Sequence, residues 1–109
     1  MQFEHTVNGA SLSLFGEDCV QGMPNRITPG SVDVVVTSPP YNLGKAYEPR
    51  LDLDVYLAQQ GRVIAECVRA LPEKGSICWQ VGNYVDNGEI VPLDIVLYPI
   101  FCCAGPAPA

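Results

Sequence analysis

The sequence predicts an α/β protein with a small parallel sheet, and three observations lead to that fold class. Residues 32–36 read Val-Asp-Val-Val-Val, a β-branched apolar run that is typical of a buried parallel strand. A helical pattern follows at 52–71, where apolar residues recur near a period of 3.6. Strand and helix patterns alternate along the chain, which favours parallel strands joined by right-handed helical crossovers.

The first half of the chain is predicted to contain two strands and one helix. The first strand is Ser11 to Phe15, and a short helix from Cys19 to Asn25 follows it, limited by Pro24. Thr28-Pro29-Gly30 is a turn, because Pro and Gly fit turn positions. The central strand then runs from Ser31 to Thr37.

The longest predicted helix comes next and ends near Leu71. Asp52 or Asp54 can cap its N-terminus, because aspartate is a favoured N-cap residue. One face of this helix is apolar and is expected to pack on the sheet. The residues of that face are Leu57, Val63, Ile64, Cys67, Val68 and Leu71.

The last third is predicted to hold one strand, one loop and one helix. Ser76 to Val81 is the third strand, and Gly82 to Glu89 is expected to be a loop. Pro92 suits the first turn of a final helix that reaches about Ile100, although Pro99 would disturb its end. The expected order is therefore strand, helix, strand, helix, strand, helix.

Composition and length indicate one modest globular domain. The chain has 109 residues, of which 48% are hydrophobic. No apolar run is long enough to span a bilayer, and the N-terminus lacks the pattern of a signal peptide. Five cysteines form no Cys-x-x-Cys pair, which predicts free thiols in a reducing cytoplasm.

The last six residues differ in composition from the rest of the chain. Residues 104–109 read Ala-Gly-Pro-Ala-Pro-Ala and offer no side chain able to build a core. We expect a folded unit over 1–103 and a disordered tail over 104–109.

The net charge of −6 bears on the partner of the protein. Contacts to nucleic-acid phosphates come from clustered Lys and Arg, whereas the six basic residues here are scattered. Either the main nucleic-acid-binding surface lies outside this segment, or the segment binds no nucleic acid.

The most informative motif follows the central strand. Ser38-Pro39-Pro40-Tyr41 places a hydroxyl, a rigid turn and an aromatic ring at the carboxyl end of that strand, where open α/β sheets bind ligands. The motif resembles the catalytic motif of the DNA methyltransferases that methylate exocyclic amino groups. A Pro-stiffened loop with Tyr41 in the core is the structural alternative.

Three further segments strengthen the resemblance, which spans most of the chain. Residues 14–19, Leu-Phe-Gly-Glu-Asp-Cys, are similar to the family's Gly-Asp-Cys element, with Glu17 inserted. Residues 42–48 and 75–83 also look like family segments. On the loop after the motif, Lys45 and Arg50 could touch a DNA phosphate, with solvated charges as the alternative, and Tyr47 could line the pocket. The resemblance implies a partial Rossmann-like methyltransferase fold, in three layers around a parallel sheet, with the cofactor S-adenosylmethionine and double-stranded DNA as partner.

The resemblance also implies roles for individual residues. The Ser38 hydroxyl and the Pro39 carbonyl would accept hydrogen bonds from the target amine, Pro40 would stiffen the turn, and Tyr41 would stack on a base flipped out of the duplex. Cytosine is the favoured target, with adenine as the alternative. Asp18 and the adjacent Cys19 would contact the cofactor; Glu17 could replace Asp18, and a helix N-cap is the alternative role of Asp18.

The family's members are considerably longer than this chain of 109 residues. The chain also has no Gly-x-Gly motif, which the family uses in the loop that binds the methyl donor. We therefore expect a catalytic amino-terminal portion that lacks a carboxyl-terminal half. A non-catalytic remnant, a natural small protein and an amide methyltransferase acting on protein are the alternatives. Ring-carbon methylation is disfavoured, because that chemistry needs a Pro-Cys motif and the chain has none; Cys67 and Cys78 are instead expected to be core residues.

Overall fold

A computed structural model of the chain describes residues 2–40, 42 and 51–104, and it has three helices and six short strands in that part of the chain. In chain order the elements are β1 Gln2–Val7, β2 Ala10–Phe15, α1 Cys19–Arg26, β3 Val34–Thr37, α2 Leu53–Ala70, β4 Ser76–Trp79, β5 Asn83–Asp86, β6 Glu89–Pro92 and α3 Leu93–Ala104. The α/β class is confirmed. All three predicted helices and all three predicted strands are present, with shifted ends.

Strands β3 and β4 form the parallel pair on which the site is built. Val34 lies opposite Ser76 and Thr37 lies opposite Trp79, with α2 between the two strands in the chain. The side that carries Trp79 is half-buried against the helices, whereas Val34 and Val36 are 54% and 75% exposed on the other side. The expectation of three parallel strands is wrong for the described residues, because the strand at 10–15 pairs with β1 instead.

Helices α2 and α3 pack together and build the core. Ile64 and Leu93 are fully buried, as is Leu97 on the same helix as Leu93. Trp79 packs edge-on against Phe101 at a ring-centroid distance of 5.4 Å, which joins β4 to this core. No helix in the described part of the chain has the length and hydropathy needed to cross a bilayer.

Two hairpins were not expected from the sequence. Strand β1 pairs with β2 through Asn8-Gly9, and β5 pairs with β6 through Asn87-Gly88. All four turn residues have positive φ, between 51° and 81°, as a two-residue type I′ turn requires. The Asn-Gly dipeptides were the sequence signal for both hairpins, and the expected loop at 82–89 is therefore wrong.

The Rossmann-like, three-layer part of the prediction is not confirmed. In the described residues the three sheets have two strands each, and one side of the β3–β4 pair is open. Helix α3 also continues beyond Ile100 to Ala104, with Pro99 inside it. Of the tail expected to be disordered at 104–109, Ala104 is the last residue of α3, and 105–109 lie outside the described residues.

We expect the isolated chain to self-associate through its open apolar side. Val36 is three-quarters exposed at the centre of that side, and burying it between copies removes apolar surface from water. Val36→Lys should therefore lower the weight-average mass measured by sedimentation more than Ile90→Lys, a matched charge on the 61%-exposed Ile90 of β6. A monomer at all concentrations with a sharp two-state thermal transition would contradict this expectation.

Candidate active site

The carboxyl ends of β3 and β4 lie side by side and carry the candidate site. The Gln80 amide donates to the Thr37 carbonyl at 3.0 Å, so the two chains leave the sheet together. Pro39 and Pro40 lack an N–H group and cannot extend the ladder, which ends β3. An open cavity of about 570 Å³ lies at this edge. Its lining residues are Val36, Thr37, Ser38, Cys78, Trp79 and Gln80.

Ser38 is exposed, and so is Gln80 at the matching position after β4. Along β3 and beyond it, exposed residues alternate with half-buried ones, so that Ser38 continues the exposed series of Val34 and Val36. A hydroxyl and an amide thus stand at the rim of the cavity. Cys78, predicted to be a core residue, is exposed on the same side of the sheet, which corrects that expectation.

The turn after Ser38 is held by two buried polar side chains whose role was not predicted from the sequence. Tyr56, 2% exposed, donates its hydroxyl to the Pro40 carbonyl at 2.6 Å. Asn42, 3% exposed, donates from Nδ2 to the Leu51 carbonyl at 2.7 Å and accepts from the Leu51 amide at 2.6 Å. The position of Asn42 directly after the motif was the only sequence signal for its role.

Several predicted site residues lie outside the described residues. Tyr41, expected to stack on a base, is one of them. Lys45, Tyr47 and Arg50, considered as contacts to phosphate or base, are the others. Their assignments remain predictions.

Asp18 caps α1: its Oδ1 accepts a hydrogen bond from the Val20 amide at 2.8 Å. Cys19 is the first residue of that helix and is exposed. Neither residue lines the cavity beside Ser38. A carboxylate has about four acceptor positions, so the exposed Asp18 still fits the amino group of an adenine. Its contact to a cofactor, and that of Cys19, stay predictions.

Glu17, the alternative to Asp18, is engaged by Arg26. The two side chains form an ion pair and hydrogen bond that lowers the pKa of the Glu17 carboxyl. Gly22 makes room for this arrangement, since a Cβ there would collide with the Glu17 side chain. The Arg26 guanidinium also lies 4.4 Å from the centre of the Phe15 ring. The residue inserted into the Gly-Asp-Cys element thus ties β2 to α1.

Two of the four basic side chains in the described residues, Arg26 and Arg69, make structural contacts. Arg69 donates to the Ile27 and Met23 carbonyls, at 2.9 and 3.0 Å, and thereby satisfies the end of α1. Arg26 is paired with Glu17. Among the described residues, Arg62 and Lys74 are the basic side chains that remain for contacts to phosphate.

Cys67 is not poised as a nucleophile, and the described residues hold no metal centre. Burial raises the pKa of the Cys67 thiol, with smaller contributions from Cys19 and Glu66, so that this thiol stays protonated. The prediction that Cys67 is a core residue is confirmed. The described residues contain no group of three or more His, Cys, Asp or Glu side chains able to hold a metal ion.

Comparison with known proteins places this site in a family context. A family model described as DNA methylase, for N6 and N4 methyltransferases, matches residues 32–103. The chain is 51% identical over 83 residues to the type II methyltransferase M.BglII of Bacillus subtilis, and the matched region covers 75% of the chain and 23% of that relative. It is 34% identical over 94 residues to the type II methyltransferase M.ScaI of Streptomyces caespitosus, covering 84% of the chain and 28% of that relative.

A third relative differs in what its name says of the target. The chain is 36% identical over 71 residues to the DNA adenine methyltransferase YhdJ of Escherichia coli, covering 62% of the chain and 24% of that relative. The chain thus spans about a quarter of the length of these curated relatives. The matched region 32–103 contains Ser38, both prolines and Tyr41.

Proposed function

Because the chain belongs to the N6/N4 DNA methylase family, we propose that it supplies the catalytic motif of an enzyme that methylates an exocyclic amino group in DNA. S-Adenosylmethionine is the proposed methyl donor, and double-stranded DNA with a flipped target base is the proposed substrate. The observation that carries the proposal is the exposed Ser38 at the carboxyl end of β3, beside an open cavity.

Methylation of an exocyclic amine requires hydrogen-bond acceptors in the motif. The lone pair of an exocyclic amine is delocalised into the ring, so the nitrogen becomes a good nucleophile only as it moves toward tetrahedral geometry. It would gain positive charge as it accepts the methyl group and would then release one proton to water. Ser38 Oγ is proposed to accept from one N–H of the amine, and the Pro39 carbonyl from the other. Both acceptors favour the tetrahedral form and stabilise the positive charge that develops on nitrogen.

The base must leave the duplex to reach Ser38, because its amino group is otherwise enclosed by pairing and stacking. Tyr41 is proposed to stack on the flipped base, and such stacking contributes roughly 1–3 kcal/mol per base. The proline pair keeps the turn rigid and the acceptors in place. The cofactor, when bound, supplies the methyl group, and Asp18 with Cys19 is proposed to hold its adenine end.

The target base is proposed as cytosine, with adenine as the alternative. Ser at the first motif position favours cytosine by resemblance to the family, whereas the relative named a DNA adenine methyltransferase favours adenine. Digestion of the methylated product to nucleosides, followed by mass spectrometry, separates N4-methylcytosine from N6-methyladenine. The thiols of five free cysteines agree with a cytoplasmic location, which we also propose.

We expect the isolated chain to transfer no methyl group to DNA, and a fusion to transfer it. The 109 residues contain no Gly-x-Gly loop for the donor, so the chain is joined to the part of M.BglII that it does not match. Incorporation of labelled methyl groups into mixed-sequence DNA is measured for the chain, the fusion and intact M.BglII.

The outcomes of this assay separate the candidate functions. Label from the fusion but not from the isolated chain supports the proposal. Label from the isolated chain would show that it binds the donor unaided. An inactive, folded fusion beside an active M.BglII would overturn the proposal and favour a non-catalytic remnant that binds DNA, cofactor or a partner subunit.

A further inference from the structure

The backbone of the catalytic motif is fixed at its first end by the sheet. Thr37 is the last residue of β3, and its carbonyl accepts from the Gln80 amide at 3.0 Å. Beyond Thr37, Pro39 and Pro40 cannot donate a ladder hydrogen bond, because neither has an N–H group. The sheet therefore does not determine where the Pro39 carbonyl points.

Tyr56 fixes the second end of the motif. It lies in the first turn of α2, and its hydroxyl donates to the Pro40 carbonyl at 2.6 Å. The tyrosine is 2% exposed and belongs to the core cluster with Ile64 and Leu93, so its ring has little room to move. A core side chain thus holds the peptide unit that follows the Pro39 carbonyl.

Asn42 holds the chain two residues further on. Its backbone has φ 61°, a left-handed conformation that asparagine adopts more readily than most residues. Its side-chain amide forms hydrogen bonds with both the N–H and the C=O of Leu51, which lies just before α2. A side chain that pairs with both backbone groups of one residue fixes position and orientation together.

We propose that Tyr56 and Asn42 are positioning residues for the catalytic motif, holding Ser38 and the Pro39 carbonyl in the geometry that the target amine requires. The inference rests on the proposed function. Proline fixes φ near −65° at Pro39 and Pro40, so few torsions remain free between the anchors at Thr37 and Pro40. Two buried polar groups in the core therefore set the direction of acceptors that lie at the surface.

Each variant removes the hydrogen bonds of one positioning residue. Tyr56→Phe keeps the buried ring and deletes the donor to Pro40. Asn42→Gly keeps the freedom for positive φ and deletes the contacts to Leu51, while Asn42→Asp retains the acceptor for the Leu51 amide. Ile64→Val, in the same helix as Tyr56, is the matched control that loosens the core without touching the motif.

The structural readout uses the full chain and needs no activity. In NMR spectra, Tyr56→Phe should shift the Pro40 carbonyl carbon, and Asn42→Gly should speed exchange of the Leu51 amide by about tenfold or more as its hydrogen bond is lost. Ile64→Val should leave both signals in place. Unchanged signals in the first two variants would overturn the inference.

The kinetic readout uses the fusion to M.BglII. We expect Tyr56→Phe and Asn42→Gly to lower kcat about tenfold or more, because small misplacements of reacting groups are costly, with KM for DNA and donor nearly unchanged. Asn42→Asp should recover part of the loss, and Ile64→Val should retain kcat. An active fusion whose kcat is unaffected by Tyr56→Phe and Asn42→Gly would overturn this inference alone. An inactive wild-type fusion would overturn the proposed function, and this inference with it, whatever the NMR signals show.

Discussion

We expect Ser38→Ala to lower the methylation rate of the fusion by about 10²–10³, the effect of removing one preorganised acceptor or donor at a site of developing charge. The loss corresponds to about 3–4 kcal/mol of transition-state stabilisation. DNA affinity should change little, because the hydroxyl is one small contact at the rim of an open cavity. Single-turnover methyl transfer and a separate DNA-binding assay measure the two quantities.

Ser76→Ala is the matched control for this variant. Ser76 is also an exposed serine, but it lies at the start of β4, opposite Val34 and away from the carboxyl edge of the pair. Its removal should leave the rate within about twofold. Equal losses in Ser38→Ala and Ser76→Ala, or a Ser38→Ala variant with the full rate, would show that the Ser38 hydroxyl is not an acceptor for the amine.

The second large effect is on folding. Ile64 is 0% exposed in the core cluster with Leu93 and Leu97, so Ile64→Ala leaves a cavity where α2 and α3 pack. Such a truncation lowers the free energy of unfolding by about 2–5 kcal/mol, and a chain of this size has only about 5–15 kcal/mol to lose. Urea unfolding followed by the fluorescence of Trp79, which packs against this cluster, measures the loss.

Val55→Ala tests whether the loss comes from burial. Val55 lies in the same helix but is 47% exposed, so its truncation leaves no enclosed cavity. We expect a change below about 1 kcal/mol. If both variants lowered the midpoint equally, the α2–α3 contact would not be the main source of stability.

The positions of the helices were predictable from the sequence because their signals are local. In α2 the apolar period and Asp52 marked a helix that the structure places at Leu53–Ala70, although Asp52 makes no side-chain capping bond. At α1, Asp18 was recognised as a possible N-cap, and it accepts from Val20. Caps and periods depend on neighbours three or four residues away, so the chain alone contains the information.

The pairing of the strands was not predictable to the same degree. The residues of the first predicted strand are extended, but they join Gln2–Val7 in a hairpin and not the parallel sheet. An extended segment can pair with any open edge, and only the turn chemistry of Asn8-Gly9 indicated the choice. The run at 32–36 is typical of a buried strand, yet Val34 and Val36 are exposed, since a β-branched run does not reveal whether anything covers its second side.

By itself, the sequence determined the α/β class, the order of the helices, the family and the motif at Ser38, because all of these depend on residues adjacent in the chain. Only the tertiary structure showed that the Tyr56 hydroxyl donates to the Pro40 carbonyl, 16 positions earlier in the chain. It also showed the hydrogen bonds between Asn42 and Leu51 and the ion pair between Glu17 and Arg26. Such contacts form when packing brings distant segments together. The direction of a buried side chain therefore depends on the whole core, and no local pattern contains it.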